Sequence, residues 1–288
     1  MNGDSRTNTP RMSRRQALAS LLSLTTAGGC VFGRADKVSL PRKHSLRADQ
    51  LLIQSDFKID SGHPVVEDLL ALRQEVSRTL SLPLGNRQVL VYLFSDDAQY
   101  RRYWEITYPG LPIRRAYFVQ SPSRELAVYT SWGDRVQEDL RHEFTHGLLH
   151  ASLEAVPLWL DEGLAEYFEV VGNEPGTINQ EYAHLLTTGL RNGWRPDMAR
   201  LETLEEVKDM QRADYREAWL WVHWMLHGDD GARDVLLGYL RELRTNPNPG
   251  KLSSRVLAEV PAADERVVAY TATLPGNGLV RAGAESFR

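Results

Sequence analysis

Residues 140–168 read LRHEFTHGLLHASLEAVPLWLDEGLAEYF, and the fold turns on how the two helical periods in this stretch face each other. The first carries His142, Glu143 and His146; the second carries Glu162 and Glu166. Residues four apart on an α-helix lie one above the other, so His142 and His146 present two imidazoles from one face, a spacing that suits two corners of a tetrahedral metal site. Glu143 stands on the flank of that face, where a carboxylate can reach an attacking water without being a ligand. At about 100° per residue, Leu140, Phe144, Leu148 and Ala151 fall on one side of the helix and His142, His146, Leu149 and Leu153 on the other. Both sides are therefore expected inside, and imidazoles among apolar neighbours need hydrogen-bond partners or a metal.

A third ligand should lie close by. His150 continues the four-residue spacing, but the elongated metzincin motif needs Gly and His three and six residues after the second histidine, where this chain has Leu149 and Ser152. Pro157 ends the first period, and a second helix is expected from around Trp159, with Asp161 and Glu162 early in it. A two-helix hairpin can fold Glu162 back against His142 and His146, giving a His-His-Glu set with an open fourth position. Glu166, one turn on, can accept the remaining ring N–H of a ligand histidine.

HEFTH followed by PLWLDEGLAEYFE resembles the gluzincin metallopeptidases, most closely the bacterial peptidase MA-like domains. The resemblance implies a zincin-like α+β fold: an N-terminal lobe with a small mixed β-sheet and helices, an active-site helix with the H-E-x-x-H motif, and a mainly helical C-terminal lobe. It implies that His142, His146 and Glu162 bind Zn2+, that Glu143 is the general base, and that the chain is a zinc metallopeptidase hydrolysing peptide or protein substrates. The G-x-M-E-N stretch with which the aminopeptidase branch holds a free substrate amine is absent upstream of HEFTH, which favours an endopeptidase.

The remaining sequence sets the context. With 288 residues, 42% hydrophobic and 25% charged, the composition is that of a globular protein with room for one large domain or two small lobes. A net charge of −4 gives no reason to expect a nucleic-acid partner. The single cysteine forbids an intrachain disulfide. That cysteine ends RMSRRQALASLLSLTTAGGC at residues 11–30, in which a basic patch precedes an apolar run too short to span a bilayer. The Arg14-Arg15 pair resembles a twin-arginine export signal, and Gly28-Gly29-Cys30 resembles a lipobox, although Ala27 stands where leucine is usual. The expectation is export from a bacterial cytoplasm to the periplasmic or cell-envelope side, with a lipid anchor at Cys30. The domain reading is a signal at 1–30, a linker at 31–50, a metallopeptidase domain at 51–275 and a tail at 276–288. Within the domain, 51–133 is the sheet lobe and 134–275 the helical lobe.

In the sheet lobe, strands are expected at 51–59, 88–94, 115–119 and 125–130, and helices at 65–80 and from Asp96 or Asp97 to about 103. QVLVYLF at 88–94 is nearly continuous apolar, as for a central strand buried on both faces. By likeness to gluzincins, strand 125–130 borders the cleft and an extended substrate adds to its edge. Helices are expected at 178–190, 201–210, 215–227 and 232–243, with a short one at 252–260. Tyr215 heads the apolar face of the third of these helices. Gluzincins commonly supply a tyrosine or histidine from a later helix to hold the oxyanion, which makes Tyr215 the first candidate and His223 and His227 the next. Two rivals to a peptidase remain: a catalytically inactive, membrane-tethered peptide-binding lipoprotein with the same fold, and a zinc hydrolase of non-peptide amides.

Overall fold

The structure, a computed structural model, describes residues 39–83, 85–170 and 176–274. The export signal, Cys30 and the 276–288 tail lie outside the described residues. A five-stranded mixed sheet and a mainly helical remainder make an α+β architecture. The strands are β1 (His44–Ala48), β2 (Leu51–Ser55), β3 (Val89–Phe94), β4 (Ala116–Gln120) and β5 (Leu126–Ser131), in the order β1-β2-β3-β5-β4. β3 is parallel to both β2 and β5, while β1 and β4 run antiparallel at the two edges. Among the described residues no helix is long and apolar enough to cross a membrane.

The near-continuous apolar run of β3 follows from its central place. Val89, Val91 and Leu93 face the main core, and Tyr92 and Phe94 face an aromatic cluster on the other side of the sheet. That second cluster is closed by helix α2 (Asp97–Thr107), started by the Asp96 carboxylate accepting the Gln99 N–H. The main core is covered by α1 (Pro64–Thr79) and by α3 (Val136–Ser152), which carries the HEFTH segment. Next come α4 (Leu158–Glu169), α5 (Gln180–Arg191), the short α6 (Met198–Leu201), α7 (Arg212–His227), α8 (Asp230–Glu242), α9 (Leu252–Glu259) and α10 (Ala263–Thr273).

Three expectations are corrected. The segment read as a linker at 31–50 supplies β1, whose polar sequence suits an edge strand that turns only Leu46 and Ala48 inward. Strand 125–130 has no free edge: β5 is paired on both sides, and the outer edge belongs to β4. No continuous helix forms over 201–210; the chain makes α6 and a 3-10 turn at Val207–Asp209, and between them the Glu202 carboxylate accepts from the Ser253 N–H and hydroxyl. Helix α10, after the left-handed Ala262 (φ 53°), had no counterpart in the sequence reading.

Two glycines, Gly147 directly after His146 and Gly163 directly after Glu162, seat the two central helices. A Cβ on Gly147 would lie 2.5 Å from Val89 Cγ1, so α3 rests on β3 only because that position is bare. A Cβ on Gly163 would lie 2.7 Å from the Ala218 carbonyl oxygen, so α4 meets α7 backbone to backbone only because that position is bare. Arg141, 3% exposed, ties the frame together. It donates to the Phe168 carbonyl at the end of α4 and pairs with Asp68 and Glu75 of α1 at 2.9 and 3.2 Å, one residue before His142.

Helix propensity alone predicts that Gly163→Ala stabilises the protein by about 1 kcal/mol. The contact with the α7 backbone cannot yield, so the expected outcome is a loss of ~1–3 kcal/mol by overpacking, read from the urea midpoint. A gain in stability would contradict this account of the α4–α7 contact.

Candidate metal centre

Helices α3 and α4 form an antiparallel hairpin, and this direction fixes which side chains meet. His142 and His146 on α3 turn toward Asp161 and Glu162 near the start of α4 and Glu169 at its end. The two Nε2 atoms are 3.3 Å apart. Glu162 Oε2 lies 3.5 Å from that of His142 and 3.7 Å from that of His146. A tetrahedral zinc with bonds of about 2.0–2.2 Å sets its ligand atoms roughly 3.3–3.6 Å apart, so this triangle has the size of one face of such a site. His142, His146 and Glu162 are thus brought together as the hairpin argument requires, in a group able to hold a cation.

The outer ring nitrogens set the tautomers. His142 Nδ1 is 2.8 Å from Glu169 Oε2, and His146 Nδ1 is 3.1 Å from Asp161 Oδ1. With each Nδ1–H facing a carboxylate, the neutral tautomers aim both Nε2 lone pairs at the Glu162 oxygen. Acceptors converging in a buried space repel unless a cation or protons lie among them. In the metal-free state protons serve. Burial alone would lower the histidine pKa values, but the contacts with Glu162 and Glu169 carry His142 well above its ordinary value. Against the same burial, Asp161 and then Glu162 push His146 up to about 10. Glu162, which burial would raise, is held down to about 2 by the two imidazoles. A divalent cation would relieve the repulsion between two imidazoliums while leaving Glu169 and Asp161 in place, so the donor set fits zinc.

The role expected of Glu166 falls to other residues. Its carboxylate accepts from the Tyr182 hydroxyl at 2.7 Å, and burial, followed by the charge of Glu169, raises it to about 7. Glu169, seven residues and two turns beyond Glu162, takes the His142 ring instead. Asp161 serves His146 and also His150, whose Nε2 lies 2.9 Å from Asp161 Oδ2. His150 therefore stands outside the triangle, stacked on Phe118 of β4 with ring centroids 5.3 Å apart. A two-turn search from Glu162 would have found Glu169. The shared use of Asp161 had no sequence signal, because it depends on the hairpin's register.

Glu143 is half-buried between the triangle and β4. Burial raises its pKa; the charges of His142 and His146 and a backbone hydrogen bond from Phe118 oppose the rise, and Glu162 adds to it. Tyr215, in the first turn of α7, is pushed up to about 12 by burial and then by the charge of Glu162, with Arg114 opposing through charge and a side-chain hydrogen bond. Its hydroxyl is thus a proton donor close to the triangle. The alternatives His223 and His227 are engaged elsewhere: His223 with the Tyr270 hydroxyl and the Gly176 carbonyl, His227 with the Tyr167 hydroxyl. Arg114 was missed because a lone arginine in a loop carries no periodicity. A cleft of about 690 Å³ opens beside these residues, with Glu166, Glu169, Tyr182 and Tyr215 on its wall.

No protein-family model matches the chain, and no curated protein matches it. Among solved structures it is similar to an M1 zinc metallopeptidase from Deinococcus radiodurans, at 15% identity and a TM-score of 0.45, covering 77% of this chain and 47% of that one. It is also similar to a mutant two-domain M1 zinc metallopeptidase bound to L-tryptophan, at 16% identity and a TM-score of 0.45, with the same coverage of 77% and 47%. The chain spans about half the length of these structures.

A histidine whose pKa rises on folding contributes stability that is complete below its unfolded value and is lost as pH climbs through the folded value. For His146 that window runs from about 6.5 to about 10. Metal-free protein is therefore expected to lose stability to urea across this range, and the His142→Ala/His146→Ala variant to show a flatter curve. Parallel curves for the two proteins would contradict the assigned pairings.

Proposed function

We propose that this protein is an exported, zinc-dependent metallopeptidase that cleaves interior bonds of peptide or protein substrates. The observation that carries the proposal is the buried triangle of His142 Nε2, His146 Nε2 and Glu162 Oε2, with sides of 3.3, 3.5 and 3.7 Å. His142, His146 and Glu162 are the ligands in this reading, and one position stays open for water and substrate. Zinc held there supplies Lewis acidity toward a carbonyl and brings the pKa of water to about 7.

The chain's own groups do the rest. Glu143 takes the proton of the attacking water and passes it to the leaving amine, a task suited to a carboxylate whose pKa burial has raised toward the working pH. Tyr215 donates its hydroxyl proton in a hydrogen bond to the developing oxyanion, an interaction worth roughly 10²–10³ in rate. Glu169 and Asp161 keep the ligand rings oriented and their Nε2 lone pairs available. An extended substrate pairs with the free edge of β4, whose Phe118 backbone adjoins Glu143; such pairing gives affinity with little side-chain selectivity. Export rests on the 1–30 leader and anchoring on Cys30.

Two outcomes test this reading. Glu143→Gln is expected to retain zinc while losing about 10²-fold or more of its activity on an unstructured protein. Undiminished turnover in the zinc-loaded variant would reject the base, and a chelator-insensitive wild type would reject the metal. In a competition titration, Glu162→Ala should weaken zinc binding far more than His150→Ala, because only Glu162 stands on the triangle. The reverse ranking would overturn the ligand set.

A further inference from the structure

Four arginines and four glutamates line the cleft beside the triangle, in a chain whose overall charge is −4. Pairing leaves these charges unbalanced. Glu138 is engaged by Arg135 and Arg115, Glu166 by the Tyr182 hydroxyl and Glu169 by His142. Glu181, in the first turn of α5, is exposed. On the positive side Arg135 is taken up by Glu138. Arg114, Arg212 and Arg216 have no carboxylate at ion-pair distance among the described residues.

The placement of these three is locally unfavourable. Arg212 and Arg216 stand one turn apart on one face of α7, where like charges repel. Arg212 also opens the helix, against the positive end of its dipole. The acids nearby in sequence offer no relief. Asp214 accepts the Gln211 N–H and pairs with Arg200, and Glu217 pairs with Arg200 and accepts the Asp197 N–H. Arg114 reaches Tyr215 from the loop leading into β4, and Arg216 stands close enough to Tyr182 for its charge to act there. Arg114 and Arg216 thus act on the two tyrosines of the cleft wall, and Arg212 lines the same cleft. Local rules broken without local compensation are expected where a ligand supplies the missing partner.

We propose that Arg114, Arg212 and Arg216 form a specificity site for a substrate carboxylate, carried on an acidic side chain or at the peptide's own C-terminus. A guanidinium fork matches a carboxylate in two parallel hydrogen bonds, which no single lysine reproduces. The inference rests on the peptidase reading of the same cleft and adds the class of substrate.

The test uses zinc-loaded Glu143→Gln protein, in which binding is measured without turnover, and labelled peptides of one length read by fluorescence anisotropy. Three are amidated, with a central Glu pair, Gln pair or Lys pair; the fourth has the Gln pair and a free C-terminal carboxylate. At least one carboxylate-bearing peptide should bind about 10-fold tighter than the amidated Gln peptide at low salt, and the Lys peptide weaker still. Which carboxylate responds identifies its source. Added Arg212→Ala/Arg216→Ala substitutions should bring the ratio toward one, and Arg212→Glu should shift preference toward the Lys peptide. Equal affinities across the four peptides, or a preference untouched by both variants, would overturn the proposal. Preference in a chain whose wild type cleaves no peptide would sink the peptidase reading alone, and cleavage without preference would sink this one alone.

Discussion

Two imidazole nitrogens and a carboxylate oxygen, all acceptors once the outer ring nitrogens have given their hydrogens to Glu169 and Asp161, share one small buried triangle. Such a convergence is stable only with positive charge inside it. The surrounding structure holds the acceptors in place. Gly147 lets α3 lie on β3, Gly163 lets α4 lie on α7, and Arg141 fastens α3 to the end of α4 and to α1. Each of these residues adjoins a corner of the triangle in sequence: Arg141 precedes His142, Gly147 follows His146, and Gly163 follows Glu162. Rigid helices and locked ring orientations are what a site needs if its geometry is to precede its ligand.

The approach to the triangle is asymmetric. On one side lies β4, the edge strand of the sheet among the described residues, with Phe118, whose ring lies over His150 and His146. On the other side, the start of α7 brings Tyr215 with Arg212 and Arg216, neither of which has a carboxylate at ion-pair distance among the described residues. In the proposed reading, the first side would pair with a substrate's main chain and the second would meet its carboxylate.

How much of this was legible in the sequence follows from how local each signal is. His142, Glu143 and His146 lie within one helical turn of each other, and β3 announced itself as an apolar run because both its faces are covered. Glu162 needed one long-range step, the hairpin after Pro157, and that step was correct about which helix faces which. The carboxylate partner of a ligand histidine was placed at Glu166, one turn short of the Glu169 that meets His142, because periodicity gives the face of a helix but not how far along it the opposing ring sits. β1 was hidden by its polar composition, which is what an exposed edge strand shows. The edge next to the site was assigned to β5 instead of β4 because strand order in a sheet is not written in the strands themselves. The aminopeptidase-type amine holder was absent upstream, but Arg114, Arg212 and Arg216 of the cleft come from a loop and a helix about 100 residues apart, a juxtaposition only the fold reveals.

X-ray absorption at the zinc edge, on protein loaded with one equivalent of metal, tests the central claim most directly. The account predicts a four-coordinate first shell of nitrogen and oxygen at about 2.0–2.1 Å, with the outer-shell scattering of two imidazoles. A six-coordinate, all-oxygen shell without imidazole scattering, or a spectrum unchanged when Glu162 is replaced by alanine, would contradict it.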